Sequence, residues 1–226
     1  MKSKIDFEKR PSEIELGIVF FGLFNPDIFS PKWMFDNRLI SKNDLDNIQE
    51  IEQEQGNFRM FFTEFLKLRI EKDSNKKDFV RVWINDLKAI EILIDFVILF
   101  NPLIKSSAEE ILEIDFKTHY QFDSKNERKR LMNKSLNTDK LNSIFDKPKL
   151  EVVRIDGNSR INGLNNDMQL AISPCNRPDL TNPLHVNIYN QLSKLVDNIN
   201  IFDRLNEDLI VSIVNNSIDK INLYFK

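Results

Sequence analysis

The sequence predicts an α+β protein, with a ferredoxin-like β-α-β-β-α-β antiparallel sheet in the N-terminal half, followed by a smaller β-rich part closed by a C-terminal helix. Three observations predict it. Apolar and polar residues alternate with period two at residues 14–20, 58–70, 79–84 and 112–120; apolar residues recur at helical spacing at 45–51, 87–98 and 205–221; and over 14–120 the two kinds of segment follow one another in the β-α-β-β-α-β order. That order folds as a four-stranded antiparallel sheet with both helices on one face.

Ile14, Leu16, Ile18 and Phe20 form one side of the first strand, and Val19 and Phe21 make its other side apolar as well, so its end is expected in the interior. The strand ends at Asn25-Pro26. Ser41 followed by Asp44 has the form of a capping arrangement, with Leu45, Ile48 and Ile51 as the stripe of a helix reaching about Glu54 and closed by Gln55-Gly56. From Phe58 the even positions Met60, Phe62, Leu66, Leu68 and Ile70 face one way, which predicts one long strand, and KDSNKKD turns it into a hairpin with residues 79–84. Asn85-Asp86 caps the next helix, whose broad apolar face is Leu87, Ile90, Leu93, Ile94, Val97 and Ile98, and Asn101-Pro102 stops it. Residues 112–120 make the fourth strand.

Beyond it, a charged helical stretch at 124–145 precedes strands expected at 150–155, 168–173 and 185–189 and a helix from Asp203 with Leu205, Leu209, Ile213, Ile218 and Ile221 buried. DGNSRINGLNND is rich in Gly, Asn and Asp and reads as a turn or loop. The expected organisation is a ferredoxin-like subdomain at 14–121, a basic helical linker at 122–149, and a βββα subdomain at 150–226 packed on the first.

Composition bounds the function. The 226 residues include 18 Phe and 41% hydrophobic residues, ample for a packed core, and the net charge is −3, so nothing draws the whole chain to phosphate backbones or anionic lipid. Charge is concentrated locally. Residues 125–149 carry eight Lys and Arg against three Asp and Glu, a net of +5 that leaves −8 elsewhere. The single Cys175 excludes an internal disulfide and a multi-cysteine metal site, in keeping with a reducing compartment. MKSKIDFEKRPSE has no apolar h-region, and the longest apolar run, residues 90–100, is broken by Glu91 and Asp95; a cytoplasmic protein with no membrane partner is expected.

Glu113, Asp115, Lys117 and His119 in EILEIDFKTHY share one face of a strand, and carboxylates beside a lysine are what a Mg²⁺-dependent nuclease requires. The partner acid from an earlier element is not evident, Asp95 and Glu109 being the nearest candidates, and a half-exposed strand wearing alternating charges has the same pattern. His119 and His185 are the only histidines, no G-x-S-x-G turn accompanies them, and Cys175 sits in the proline-bounded SPCNRPD. Neither G-x-G-x-x-G nor a P-loop occurs, so no cofactor is expected. NERKRLMNK, with Arg128, Lys129 and Arg130, could contact phosphates, and Phe61, Phe65, Phe79 and Trp83 interleaved with Arg59, Lys67, Arg69 and Arg81 could form a stacking face of the kind RNA-recognition modules use, although the RNP signatures are missing.

The block GLFNPDIFSPKWMFDNRLIS, Gly22 to Ser41, resembles a segment of a sporadically distributed, uncharacterised family of bacterial proteins that share an apolar strand, an F-N-P-x-I-F-x-P-x-W block and "LI" before a helix. The resemblance covers residues 14–120 and is weak beyond. It implies a bacterial accessory protein of mobile or antiphage-defence loci, with no enzyme activity and no active-site residues to carry over. In the block itself Pro26 and Pro31 fix φ and hold Asn25 and Ser30 extended, so that Phe24, Ile28, Phe29 and Trp33 either clamp the connection onto the core or form a partner surface. The expected function is a non-enzymatic interaction subunit that docks on a larger protein.

Overall fold

The computed structural model describes residues 7–52, 58–72, 78–134, 152–175, 177–194 and 200–226. Among the described residues nine strands form one antiparallel sheet. In chain order they are β1 (Glu13–Gly22), β2 (Gln49–Glu52), β3 (Phe58–Phe62), β4 (Lys67–Glu71), β5 (Asp78–Ile84), β6 (Ala108–Tyr120), β7 (Val153–Ile161), β8 (Leu164–Pro174) and β9 (Leu184–Lys194). Their order across the sheet is β2-β3-β4-β5-β1-β6-β9-β8-β7. The helices are α1 (Pro31–Asp36), α2 (Lys42–Asn47), α3 (Ile90–Ile104), α4 (Lys125–Lys134), α5 (Ile201–Arg204) and α6 (Glu207–Phe225).

The alternation in β1 decides which face is covered. Leu16, Ile18 and Phe20 are wholly buried, as are their cross-strand neighbours Ile84, Val82 and Val80 in β5 and Phe116, Ile114 and Leu112 in β6. Onto this face α3 brings Leu93, Val97 and Phe100, and α6 brings Leu209, Ile213 and Ile221, all completely buried. Burying each such side chain contributes about 1.5–3 kcal/mol, so this layer supplies most of the driving force for folding. The other face of the sheet is reached by Glu13, Glu15, Gly17 and Val19 of β1, by Arg81 of β5 and by Glu113, Asp115, Lys117 and His119 of β6, and is polar along much of its length.

The F-N-P block serves the covered face. Phe29 packs edge-on against Trp33 at 5.1 Å and meets Phe100 at 5.9 Å, while Ser30 caps α1 by accepting from the Trp33 N–H. Gly22, where β1 and β6 shift register, allows a close approach: a Cβ there would stand 2.1 Å from the Ser107 carbonyl oxygen. The expected capping box is present at Ser41 and Asp44.

Several local expectations are corrected. The single strand over 58–70 is a hairpin, because Thr63 N–H donates to the Leu66 carbonyl and Thr63 Oγ1 accepts from Leu66 N–H, which closes a turn between β3 and β4. The turn inverts the parity: Phe61 falls opposite Leu68 and is buried, whereas Met60 and Phe62 change faces. The helix expected to Glu54 ends at Asn47, and Gln49–Glu52 pairs with β3 instead; Ile51 is half exposed, so the stripe has no core to face. α3 runs through Pro102 to Ile104, although the proline has no N–H to donate to the Ile98 carbonyl one turn back. The loop expected at 156–167 is a tight hairpin in which only Asn162 and Gly163 lie outside the ladder, both with positive φ (51° and 80°), the signature of a type I′ turn. Finally, the third part joins the same sheet, since β9 pairs with β6 over ten positions from Ile111 to Tyr120. Of the stretch 122–149, α4 is described; residues 135–149 lie outside the described residues.

Candidate functional site

The open face has its most distinctive chemistry at the centre of the sheet, around Gly17. The register places Glu15 opposite Lys117, Gly17 opposite Asp115 and Val19 opposite both Glu113 and Arg81. Having no side chain, Gly17 leaves a notch: a Cβ would stand 2.2 Å from Asp115 Oδ1 and 2.8 Å from Arg81 Nη2. Into this notch the Arg81 guanidinium reaches, with Nη2 donating to Glu15 Oε1 at 2.5 Å and to Asp115 Oδ2 at 2.8 Å. Lys117 Nζ bridges the same two carboxylates, at 2.9 Å from Glu15 Oε1 and 3.0 Å from Asp115 Oδ2. Two acids and two bases thus close a neutral ring. The Asp115 side chain is only 5% exposed, while the other three keep partial contact with water.

Their titration follows from this ring. Burial pushes the Glu15 carboxyl up, but Arg81 and Lys117 beside it prevail and hold it below its ordinary value. Burial likewise opposes the charge on Lys117, and Asp115 with Glu15 overcomes it, so the ammonium is held more firmly than usual. Glu113 lies outside the ring. Burial, reinforced by Asp115, raises its carboxyl above the usual range.

This arrangement bears directly on the D-x-K pattern. The acid from an earlier element that a nuclease needs exists, as Glu15 in β1, which sequence reasoning missed. Yet a divalent ion would have to displace two cations already shared by Glu15 and Asp115, each making charge-assisted bonds. Among the described residues no group of three His, Cys, Asp or Glu side chains stands ready to hold a metal.

Beside the ring, His119 and His185 pair across β6 and β9, their rings stacked at 4.7 Å with 13° between planes. Burial chiefly, then His119 and Lys117, lowers the His185 imidazole to about 4. Burial also lowers His119, opposed by Glu13 and aided by Arg177. Cys175 Sγ approaches His119 Nδ1 at 3.5 Å, although the two lie 56 residues apart in the chain. Burial raises the thiol above its ordinary range, with Arg177 and Arg128 acting against it. Arg177 next to it is tied to Glu13 at 2.5 Å and to Asp179 at 3.0 Å.

The remaining predicted residues are dispersed. Phe79 and Trp83 do lie on the open face, where Arg69 stacks over Phe58 and Phe79 and Arg81 over Trp83, but Phe61 is in the core and Phe65 is at the β3–β4 turn. Arg69 is ion-paired with Glu71, which neutralises part of the cationic character of that face, whereas Arg59 lies on the covered face beside Phe61, donating to the Pro26 and Phe29 carbonyls and ion-paired with Glu50. Arg128 donates to the Pro183 carbonyl at 3.3 Å, leaving Lys129 and Arg130 exposed on α4. Of the proposed partner-binding set, Phe24 and Phe29 are 4% exposed and Trp33 is partly buried against Phe29. These three act as the core clamp, and only Ile28 projects outward.

Comparison with family models, curated proteins and solved structures finds no match to this chain. Its function is therefore argued from geometry. Among the described residues no helix is long and apolar enough to cross a membrane.

The geometry also reveals a surface the sequence reading did not single out. α3 is apolar almost all round. While Leu93, Val97 and Phe100 enter the core, Ile92, Leu99 and Leu103 on the outer side are 40–46% exposed. Ile92, Leu99 and Leu103 stand at i, i+7 and i+11, a stripe along one side of the helix. Phe65, 49% exposed at the β3–β4 turn, extends it. The signal was legible: an 11-residue apolar run with two acids has more greasy faces than one sheet can cover.

Proposed function

We propose that this chain is a non-enzymatic interaction subunit of a bacterial multiprotein complex, of the accessory kind that the F-N-P block's resemblance implies, working in the cytoplasm beside a larger protein. The observation that carries this reading is the outer stripe of α3. Contiguous exposed apolar surface on a helix whose other side is fully packed is the usual mark of a protein-protein interface. The closed ring at Gly17 supports it from the other direction, since its acids and bases neutralise one another instead of facing a substrate. We further read β4-β5-β1-β6 with the helices between them as a ferredoxin-like unit, extended on one side by β2-β3 and on the other by β9-β8-β7.

The test is the size of the native assembly. Tagged protein expressed at its natural level is expected to elute from a size-exclusion column well above its own 26.7 kDa, and the Ile92→Ser/Leu99→Ser/Leu103→Ser variant at monomer size with an unchanged circular dichroism spectrum. Elution of the wild type as a monomer from a native extract would remove the proposal.

A further inference from the structure

The stripe on α3 is one wall of a groove of about 850 Å³, which α1, the start of α2 and the β3–β4 turn close on the other sides. Phe35, Phe65, Ile92 and Leu99 give it an apolar lining. Its charge is one-sided: Asp36, Asp44, Glu64 and Asp95 stand against Arg38 alone, a net of −3. Two of these acids are already engaged, Asp36 with Lys32 and Asp44 in the capping box. Glu64 and Asp95 are exposed on opposite walls, one on the turn and one on the helix.

We propose that this groove receives a basic amphipathic α-helix of the partner, with an apolar stripe on the Phe65–Ile92–Leu99 lining and Lys or Arg flanking it to meet Glu64 and Asp95. The inference rests on the subunit reading above and names the chemistry of what docks. Spacing argues for a helix as occupant, because the exposed Ile92, Asp95 and Leu99 recur at i, i+3 and i+7 above the buried Phe96, a ridge along one side of α3 of the kind that packs against another helix. Charge argues against a second copy of this chain. Two such grooves apposed about a two-fold axis would bring two net-acidic linings together, whereas a basic helix gains from both Glu64 and Asp95. Paired acids on the two walls also set the register of the incoming helix.

Binding is measured by fluorescence anisotropy of the full chain with two 18-residue model helices that share Leu at heptad a and d positions, one with Lys and one with Glu at the flanking e and g positions. The Lys helix is expected to bind at least tenfold tighter than the Glu helix, with the difference shrinking in high salt. Glu64→Lys/Asp95→Lys is expected to invert the preference, and Ile92→Ser/Leu99→Ser to abolish binding of both. Equal binding of the two helices, absence of binding, or indifference to Glu64→Lys/Asp95→Lys overturns the groove assignment. So does sedimentation showing a homodimer that Ile92→Ser/Leu99→Ser dissolves. The native assembly keeps the two ideas apart: an assembly that survives Glu64→Lys/Asp95→Lys leaves a subunit without this groove, while a monomeric wild type ends both.

Discussion

Two polar clusters lie on opposite faces of the sheet, one reaching β6 and the other its neighbour β9, and they are built differently. On the open face Asp115 and Lys117 join Glu15 and Arg81 in a ring of full charges. On the covered face, beneath α6, Asn166 donates to Asn190 at 3.1 Å, Asn190 donates to Ser217 at 3.1 Å and to the Ile114 carbonyl at 3.3 Å, and Ser217 donates to the Ile213 carbonyl at 2.9 Å. Asn166, Asn190 and Ser217 are at most 1% exposed. Where a helix seals the sheet, only neutral groups are used; where water still reaches three of the four partners, charges are. The difference is one of desolvation, because a charge taken fully out of water costs far more than an amide that finds its hydrogen bonds. Each cluster also fixes a register, the ring between β5, β1 and β6, the amides between β8, β9 and α6.

This contrast can be broken from either side. The largest effect is expected for Asp115→Ala, which leaves Arg81 and Lys117 with Glu15 as their one remaining carboxylate; a loss of about 3 kcal/mol should be seen in urea unfolding. A loss under 1 kcal/mol would mean that the ring is ornamental to stability. Asn190→Ala removes the acceptor that the Asn166 amide meets at 3.1 Å and the donor to the Ser217 hydroxyl under α6, and about 2–3 kcal/mol is expected from the same measurement, independent of salt because no charge is involved. Gly17→Ala tests the notch without touching any charge. Its methyl must push Asp115 and Arg81 apart, so a loss of about 2 kcal/mol is expected, with weaker salt dependence of stability than the wild type if the ring has opened.

The smallest effect concerns the histidine pair. His185 titrates near 4 in the folded chain and near 6.5 when unfolded, so between these values the unfolded chain binds more protons and stability falls as the solution is acidified. The loss begins as pH drops below about 6.5 and should reach about 1–2 kcal/mol at pH 5. Glu13, Glu15, Lys117, Arg177 and Asp179 surround the pair, and Glu15, with its lowered value, adds a loss of the same sign only at more acidic pH. His185→Phe should therefore flatten the pH 7–5 segment of the stability curve and leave the steeper acid limb. An unchanged segment would assign the slope to other groups.

Features carried by local patterns were legible before any folding. Period-two alternation marked β1, β5 and β6, helical spacing marked α3 and α6, and the Ser41 and Asp44 pair marked a helix start, because each depends on neighbours within one turn or one strand. Asn162-Gly163 was equally local and could have been read as a hairpin turn. The rest required the fold. No pattern within 58–71 announces that Thr63 turns the chain, and that turn alone decided that Phe61 is core and that Met60 and Phe62 are not. Likewise Asp115 and Lys117 were visible in the sequence as one face of a strand, but whether they face a metal, a substrate or two partners depended on Glu15, about 100 residues upstream, and Arg81, about 34 upstream. The same holds for the groove, since Glu64 and Asp95 meet across it only after a hairpin and a helix have packed. Pairing across a sheet is set by which faces must be buried together, and burial is a property of the whole folded chain.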